Sequence, residues 1–236
     1  MRTFGCVALV PLALATLGCA STTAEEISRY LDRRMEEADR LREKGDLAGA
    51  IEIREQMLAE YPDNKLVNNP VFHTRLGNLY RRRGDDERAL EHFYKALRLW
   101  DAYYEECRSK IVSSIVPKEI EEAKALIDDT IRPGMSETRR ELAMLWAAEE
   151  RYDMALQHLE RGIDVCPSDL RALRMIAEYR ESAGDADAAA DAWRKFIRAV
   201  LTSAQHDRHR YKVTDADIVF ARKRVEALES GAGKDK

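Results

Sequence analysis

Residues 75–97 read RLGNLYRRRGDDERALEHFYKAL. Leu76, Gly77 and Tyr80 share one face of a first helix, and Ala89, Phe93, Ala96 and Leu97 follow three-and-four spacing along a second. Gly84 stands between them, where a residue without a Cβ stops a helix in the left-handed conformation. Gly77 and Ala89 are small enough for the two backbones to approach to about 8–10 Å, and larger side chains there would force the pair apart. The stretch is a helical hairpin with its core residues in place.

The same offsets recur. Ala38, Leu41, Gly45, Leu47, Ala50, Met57 and Pro62 form an earlier copy. Leu142, Ala143, Trp146, Tyr152, Ala155, Leu159, Gly162 and Pro167 form a later one, followed by Ile176, Ala177, Gly184, Ala189, Trp193 and Phe196. In the third copy Glu150 replaces the turn glycine, so that turn is less ideal. Helical spacing accounts for Trp146 and Trp193 as core residues, each contributing roughly 1.5–3 kcal/mol on burial. The pattern resembles the tetratricopeptide repeat (TPR), a 34-residue hairpin of interaction scaffolds. The resemblance implies an all-α fold: a right-handed superhelix, or α-solenoid, over residues 25–203. Its recognisable hairpins cover about 31–64, 70–101, 136–169 and 170–203.

Ala155 and Ala189 are 34 residues apart, whereas Ala89 and Ala155 are 66 apart, two short of two full repeats. Residues 102–135 therefore read as a degenerate fifth hairpin, either a docking arm or a worn repeat. The stripe Ala89, Phe93, Ala96, Trp100, Tyr104, Cys107, Ile111, Ile115 predicts one unbroken helix from about Glu87 to about Ser114. Pro117 then opens a helix with Ile120, Ala123, Ile127 and Ile131 on one face, closed by Pro133-Gly134. Within 204–229, after a linker, Thr214-Asp215 caps a last helix whose Ile218, Ala221, Val225 and Leu228 cover the open end of the solenoid. Residues 230–236 are a polar tail.

The chain is 45% hydrophobic and 35% charged, as expected of a water-soluble all-α protein. A net charge of -4, with no basic stripe among stacking aromatics, argues against a nucleic-acid partner. Residues 1–18 have one Arg and a short apolar run interrupted by Pro11, too short for a permanent span, and read as an export signal. Gly18-Cys19 resembles the lipidation site of bacterial lipoproteins, in which Cys19 becomes the acylated first residue and 19–24 a short tether. Ala20 after it resembles lipoproteins passed on to the outer membrane, facing the periplasm. The other reading is ordinary cleavage after Ala13-Leu14-Ala15, which yields a secreted soluble protein. Cys107 and Cys166 are expected as packed thiols, with a disulfide as the alternative in an oxidising compartment.

No phosphate-loop, metalloprotease, nucleophile-elbow or CxxC motif occurs. His206 and His209 form the nearest approach to a metal pair, and their arginine-flanked setting reads as a linker. The expectation is no enzyme, cofactor, metal or small-molecule substrate. In the family that the chain resembles, partners lie along the first helix of each hairpin. Carried over, the groove positions are Met35, Asp39 and Arg42, then Thr74, Asn78 and Arg81, then Arg140 and Met144, then Arg171, Arg174 and Glu178. Met35 and Asp39 stand where the chaperone-tail members hold a carboxylate with Lys and Asn, which argues against that specificity. Arg140, Arg171 and Arg174 make the later half locally basic, suited to an acidic segment. The resemblance implies a lipid-anchored scaffold for envelope proteins, in outer-membrane protein assembly, pilus or secretion machinery. The alternative is a regulatory or substrate-delivering lipoprotein for an envelope enzyme such as a cell-wall synthase.

Overall fold

The computed structural model describes residues 23–231; residues 1–18, expected to be an export signal, Cys19 and the last five residues lie outside the described residues. All regular structure among the described residues is helical. Helix α1 (Ala24–Glu43) pairs with α2 (Leu47–Glu60), and α3 (Pro70–Arg83) with α4 (Asp86–Ser113). After α5 (Pro117–Leu126) and a π-helical turn (Ile127–Ile131), α6 (Arg132–Ala148) pairs with α7 (Tyr152–Val165), and α8 (Leu170–Ser182) with α9 (Ala186–Thr202). The short α10 (Gln205–Arg210) leads to α11 (Asp215–Glu229), which packs on α9 and closes the end of the stack. The result is an all-α solenoid of four stacked hairpins with a hairpin arm and a capping helix.

Local chemistry sets the boundaries. Asp46, Asn69, Asp85, Asp169 and Asp185 each accept a first-turn backbone N–H, and such a cap is worth about 1 kcal/mol. Thr23 with Glu26, and Thr214 with Asp217, form reciprocal capping boxes. Gly84 ends α3 at φ 82°, and at the matching turn of the third hairpin Glu150 takes φ 58° in spite of its Cβ. Two large clusters make the core. One joins the first two hairpins around Leu31, Met57, Leu76, Tyr80 and Phe93. The other joins the last two and the cap around Leu159, Leu170, Trp193, Phe196 and Ile218.

Residues 102–135 do form a hairpin, but it is continuous with its neighbours on both sides. The second half of α4 runs out antiparallel to α5, sealed by Trp100, Cys107, Ala123, Ile127 and Ile131. Meanwhile α6 packs directly on α3 and α4, so the arm grows sideways from the stack and is not a layer within it. Its tip exposes Val112, Ile115 and Val116. Cys107 in the arm and Cys166 at the end of α7 are both buried and unbonded.

Pro133-Gly134 does not close the helix that Pro117 opens; the helical path continues through it to Ala148. A proline inside an α-helix lacks the N–H that would bond four residues back, and its ring crowds that carbonyl. Here the preceding turn widens, with the Arg132 N–H bonding to the carbonyl of Ile127, five residues back. The carbonyl of Asp129, four residues before Pro133, accepts instead from Nη2 of Arg210 at 3.4 Å. Gly134 is held by tertiary packing: a Cβ there would lie 2.2 Å from Cζ2 of Trp100. Both residues serve a bulge under the arm where the sequence pattern indicates a stop.

Candidate protein-binding groove

Helices α1, α3, α6 and α8 are the first helices of their hairpins and carry all the groove positions expected from the sequence. Their residues line a row of cavities. Asp39, Arg42, Asn78 and Arg81 face one of about 240 Å³. Thr74, Asn78, Arg140 and Arg171 face a neighbour of about 420 Å³. Arg140, Met144, Arg171, Arg174 and Glu178 face a third of about 360 Å³. Met35 faces a further cavity at the root of the arm, which shares Arg54 and Arg75 with the first of these.

Being in the row does not leave a side chain free, because many of these groups tie one layer of the solenoid to the next. The Thr74 hydroxyl, which also donates to the carbonyl of Pro70, meets that of Thr138 at 2.9 Å, joining α3 to α6. Arg81 donates to Glu141 at 3.1 Å across the same junction. Burial raises the Glu141 carboxyl above its ordinary range and Arg81 pulls it back. Arg140 pairs with Asp169, which is fully buried, also accepts from Ser136 Oγ at 2.6 Å, and caps α8 through the N–H of Ala172. Arg174 bonds Glu178 at 2.7 Å and Asp217 of the capping helix at 2.8 Å. Within the first hairpin, Asp39 accepts from Arg54 at 2.9 Å and lies 3.8 Å from Arg42.

The basic half-groove read from Arg140, Arg171 and Arg174 is therefore smaller than the sequence implies. Arg171 is exposed and makes no hydrogen bond or ion pair through its side chain among the described residues, while Arg140 and Arg174 are engaged within the chain. Glu137 is likewise exposed without an ion pair there, and Asn78 Oδ1 is buried without a donor. These three and Met144 are open to a partner, as is Arg75, which is exposed, lines the first two cavities and makes no ion pair among the described residues. Sequence reading missed Asp169, Glu141 and Asp217. Each is visible as a carboxylate at a helix start or on a helix face, but its cation lies in another repeat and no local spacing announces the pair. Of the arm-root residues, Trp100 shows in the sequence only as part of an apolar stripe, and no pattern singles out Leu126.

Among the described residues no helix is long and apolar enough to cross a membrane, and no group of three or more His, Cys, Asp or Glu side chains gathers to hold a metal. No protein-family model and no curated protein matches this chain. Among solved structures it is similar to the MamA protein at 21% identity, covering 79% of this chain and 98% of that one, with a TM-score of 0.32. It is also similar to PilW, a type IV pilus biogenesis factor, at 17% identity over 88% of this chain and 94% of that one, with a TM-score of 0.38. A thermophilic TPR protein of Thermus thermophilus shares 18% identity over 77% of this chain and 96% of its own, with a TM-score of 0.35. These superpositions are loose, and the hairpin assignment rests on the helix pairing described above.

Proposed function

We propose that the protein is a scaffold that holds another protein of the bacterial envelope along the α1–α3–α6–α8 face, while an acyl anchor on Cys19 keeps it at the outer membrane. The observation that carries this reading is the row of cavities along that face, in which Asn78 Oδ1, Glu137 and Arg171 remain without ionic or hydrogen-bonding partners among the described residues. Layers tied together by buried polar pairs give such a face a fixed shape, which lowers the cost of ordering on binding. The open groups are Arg75 and Arg171, Glu137 and the apolar Met144, so the face suits a polypeptide segment that carries acidic and apolar side chains. The Gly18-Cys19 sequence supports the anchor, and acyl chains contribute about 0.8 kcal/mol per buried methylene.

Affinity capture from detergent-solubilised membranes tests the groove, comparing the native chain with an Arg171→Glu, Met144→Glu variant. These positions are chosen because no tie between layers uses them. A partner set lost in the variant supports the reading, and a set retained unchanged moves binding elsewhere on the molecule. A Cys19→Ser variant is expected in the soluble fraction; continued sedimentation with membranes would rule out the acyl anchor.

A further inference from the structure

The arm creates a chamber that a plain stack of hairpins lacks. Where the π-helical turn lies beside the first turn of α3, the two border an open cavity of about 450 Å³, within the roughly 300–1,000 Å³ of small-molecule sites. Met35, Leu66, Val71, Tyr103, Leu126 and Ile131 supply apolar walls. Leu66, Val71 and Leu126 are 40%, 42% and 46% exposed, large values for aliphatic side chains that face one cavity. The charged groups of the lining are Arg54, Lys65 and Arg75, with no carboxylate among them.

One of these cations, Arg54, is incompletely satisfied, and a second, Arg75, is exposed and free of ion pairs among the described residues. Arg54 is 1% exposed; its Nη2 bonds Asp39, but its Nη1 is buried without an acceptor. Arg75, close enough to repel Arg54, makes no ion pair or hydrogen bond through its side chain among the described residues. Asp39 is already shared with Arg42. The wall also holds Trp100, whose indole N–H is buried and lacks an acceptor. Buried unpaired donors are costly, and Arg54 and Trp100 each place one in the wall of this cavity, beside the exposed cation Arg75.

We propose that this chamber binds a single-chain carboxylate amphiphile, of the long-chain fatty acid class, with its carboxylate between Arg54 and Arg75 and its chain against Leu66, Val71, Tyr103 and Leu126. A carboxylate there receives charge-assisted bonds from guanidinium groups held in an apolar setting. An extended peptide fits less well, because each of its residues brings an N–H that needs an acceptor. The Asn69 side-chain oxygen already caps the N–H of Phe72 at 2.8 Å, which leaves little beyond the Tyr103 and Thr130 hydroxyls. An alkyl chain carries no such requirement. The site adjoins the protein-binding face, sharing Val71, Arg75, Trp100 and Thr130 with its larger cavity and Arg54 and Arg75 with its smaller one, whereas Leu126 lines this cavity and neither of those, so Leu126→Asp separates the two sites.

Full-length protein with Trp146→Phe and Trp193→Phe keeps Trp100 as its one tryptophan. It is titrated with dodecanoate brominated at its terminal carbon, kept below the micellar range, since bromine quenches an adjacent indole. The expected result is saturable quenching that unlabelled dodecanoate reverses and that Arg75→Gln weakens by about tenfold, as loss of one charge-assisted bond implies. Linear, non-saturating quenching, or reversal by dodecanol as effective as by dodecanoate, overturns the proposal. Equilibrium dialysis of dodecanoate against the unsubstituted chain, Arg75→Gln and Leu126→Asp gives the same answer without the tryptophan changes: binding equal in all three overturns it. A peptide with an apolar C-terminal residue that binds here while dodecanoate does not would assign the chamber to a protein terminus and also overturn it.

Discussion

Glu150 occupies the turn position at which the second and fourth hairpins place Gly84 and Gly184, and all three share positive φ. For a residue with a Cβ that conformation costs roughly 1–2 kcal/mol, part of which returns through the greater unfolded-state freedom of glycine. Glu150→Gly is accordingly expected to stabilise the chain by about 0.5–1 kcal/mol, read as a higher urea midpoint at unchanged slope. His73 shows a different residue-scale effect. It is fully buried, with Nδ1 3.0 Å from that of His92 and Nε2 3.1 Å from Asn68 Oδ1. Burial, then Lys95, His92 and Arg98, push its pKa down to about 3, and burial with Arg139 and Arg161 pushes His158 down to about 4. The unfolded chain takes up these protons near the ordinary pKa of about 6.5 and the folded chain does not. Their contribution is therefore intact above pH 6.5 and declines as the pH falls from there toward 4 and then 3. Thermal scans between pH 7 and about 4.5 should show that decline, and His73→Phe should make it shallower; an unchanged slope would mean that His73 accepts its proton in the folded state.

At the scale of elements, the arm depends on two helices outgrowing their hairpin. Helix α4 continues past the end of its partner α3 because its apolar stripe, from Ala89 through Trp100 to Cys107, is buried along its length, first by the solenoid and then by α5. The returning limb of the arm bends into α6 at the π-helical turn, where Pro133 removes a helical bond and Gly134 admits the ring of Trp100. Gly134→Ala puts a methyl group where the ring lies and is expected to cost about 1–3 kcal/mol, with a shifted tryptophan emission. The same substitution in an unstrained helix would stabilise it, so the sign of the change separates the packing role of Gly134 from its helix propensity.

For the whole molecule, polar pairs between first helices set how the layers sit on one another. Asp169 is the densest of these, joining Arg140 and Ser136 of α6 to the start of α8. Asp169→Ala strands a buried guanidinium and removes a cap, so a loss of roughly 3–5 kcal/mol is expected in urea unfolding. Adding Arg140→Met should restore much of it, since the penalty belongs to the unpaired charge more than to the pair. The cap obeys the same logic: Asp217 meets Arg174, Glu181 meets Arg224, and Phe220 packs 5.6 Å from Trp193. Truncation before Thr214 should bare Trp193, Ile176 and Phe196 and cause self-association, measurable by light scattering.

The helices, their order and most of their core were legible without coordinates, because they depend on interactions within a few residues: the 3.6-residue spacing of Leu76, Tyr80, Ala89 and Phe93, a small residue at each close approach, glycine at Gly84. The capping helix was legible for the same reason, through Thr214 and the Ile218 to Leu228 stripe. The groove was legible as a set of positions and not as a surface. Whether Arg140 or Arg171 is available depends on Asp169, and whether Arg174 is free depends on Asp217 in another element. Charge pairing across repeats leaves no local period in the chain, and a Pro-Gly pair that locally reads as a stop becomes a bulge once Trp100 packs against it. Local stereochemistry thus determined the elements, whereas the free charges, the course of the arm and the chamber at its root were decided by contacts between residues far apart in sequence.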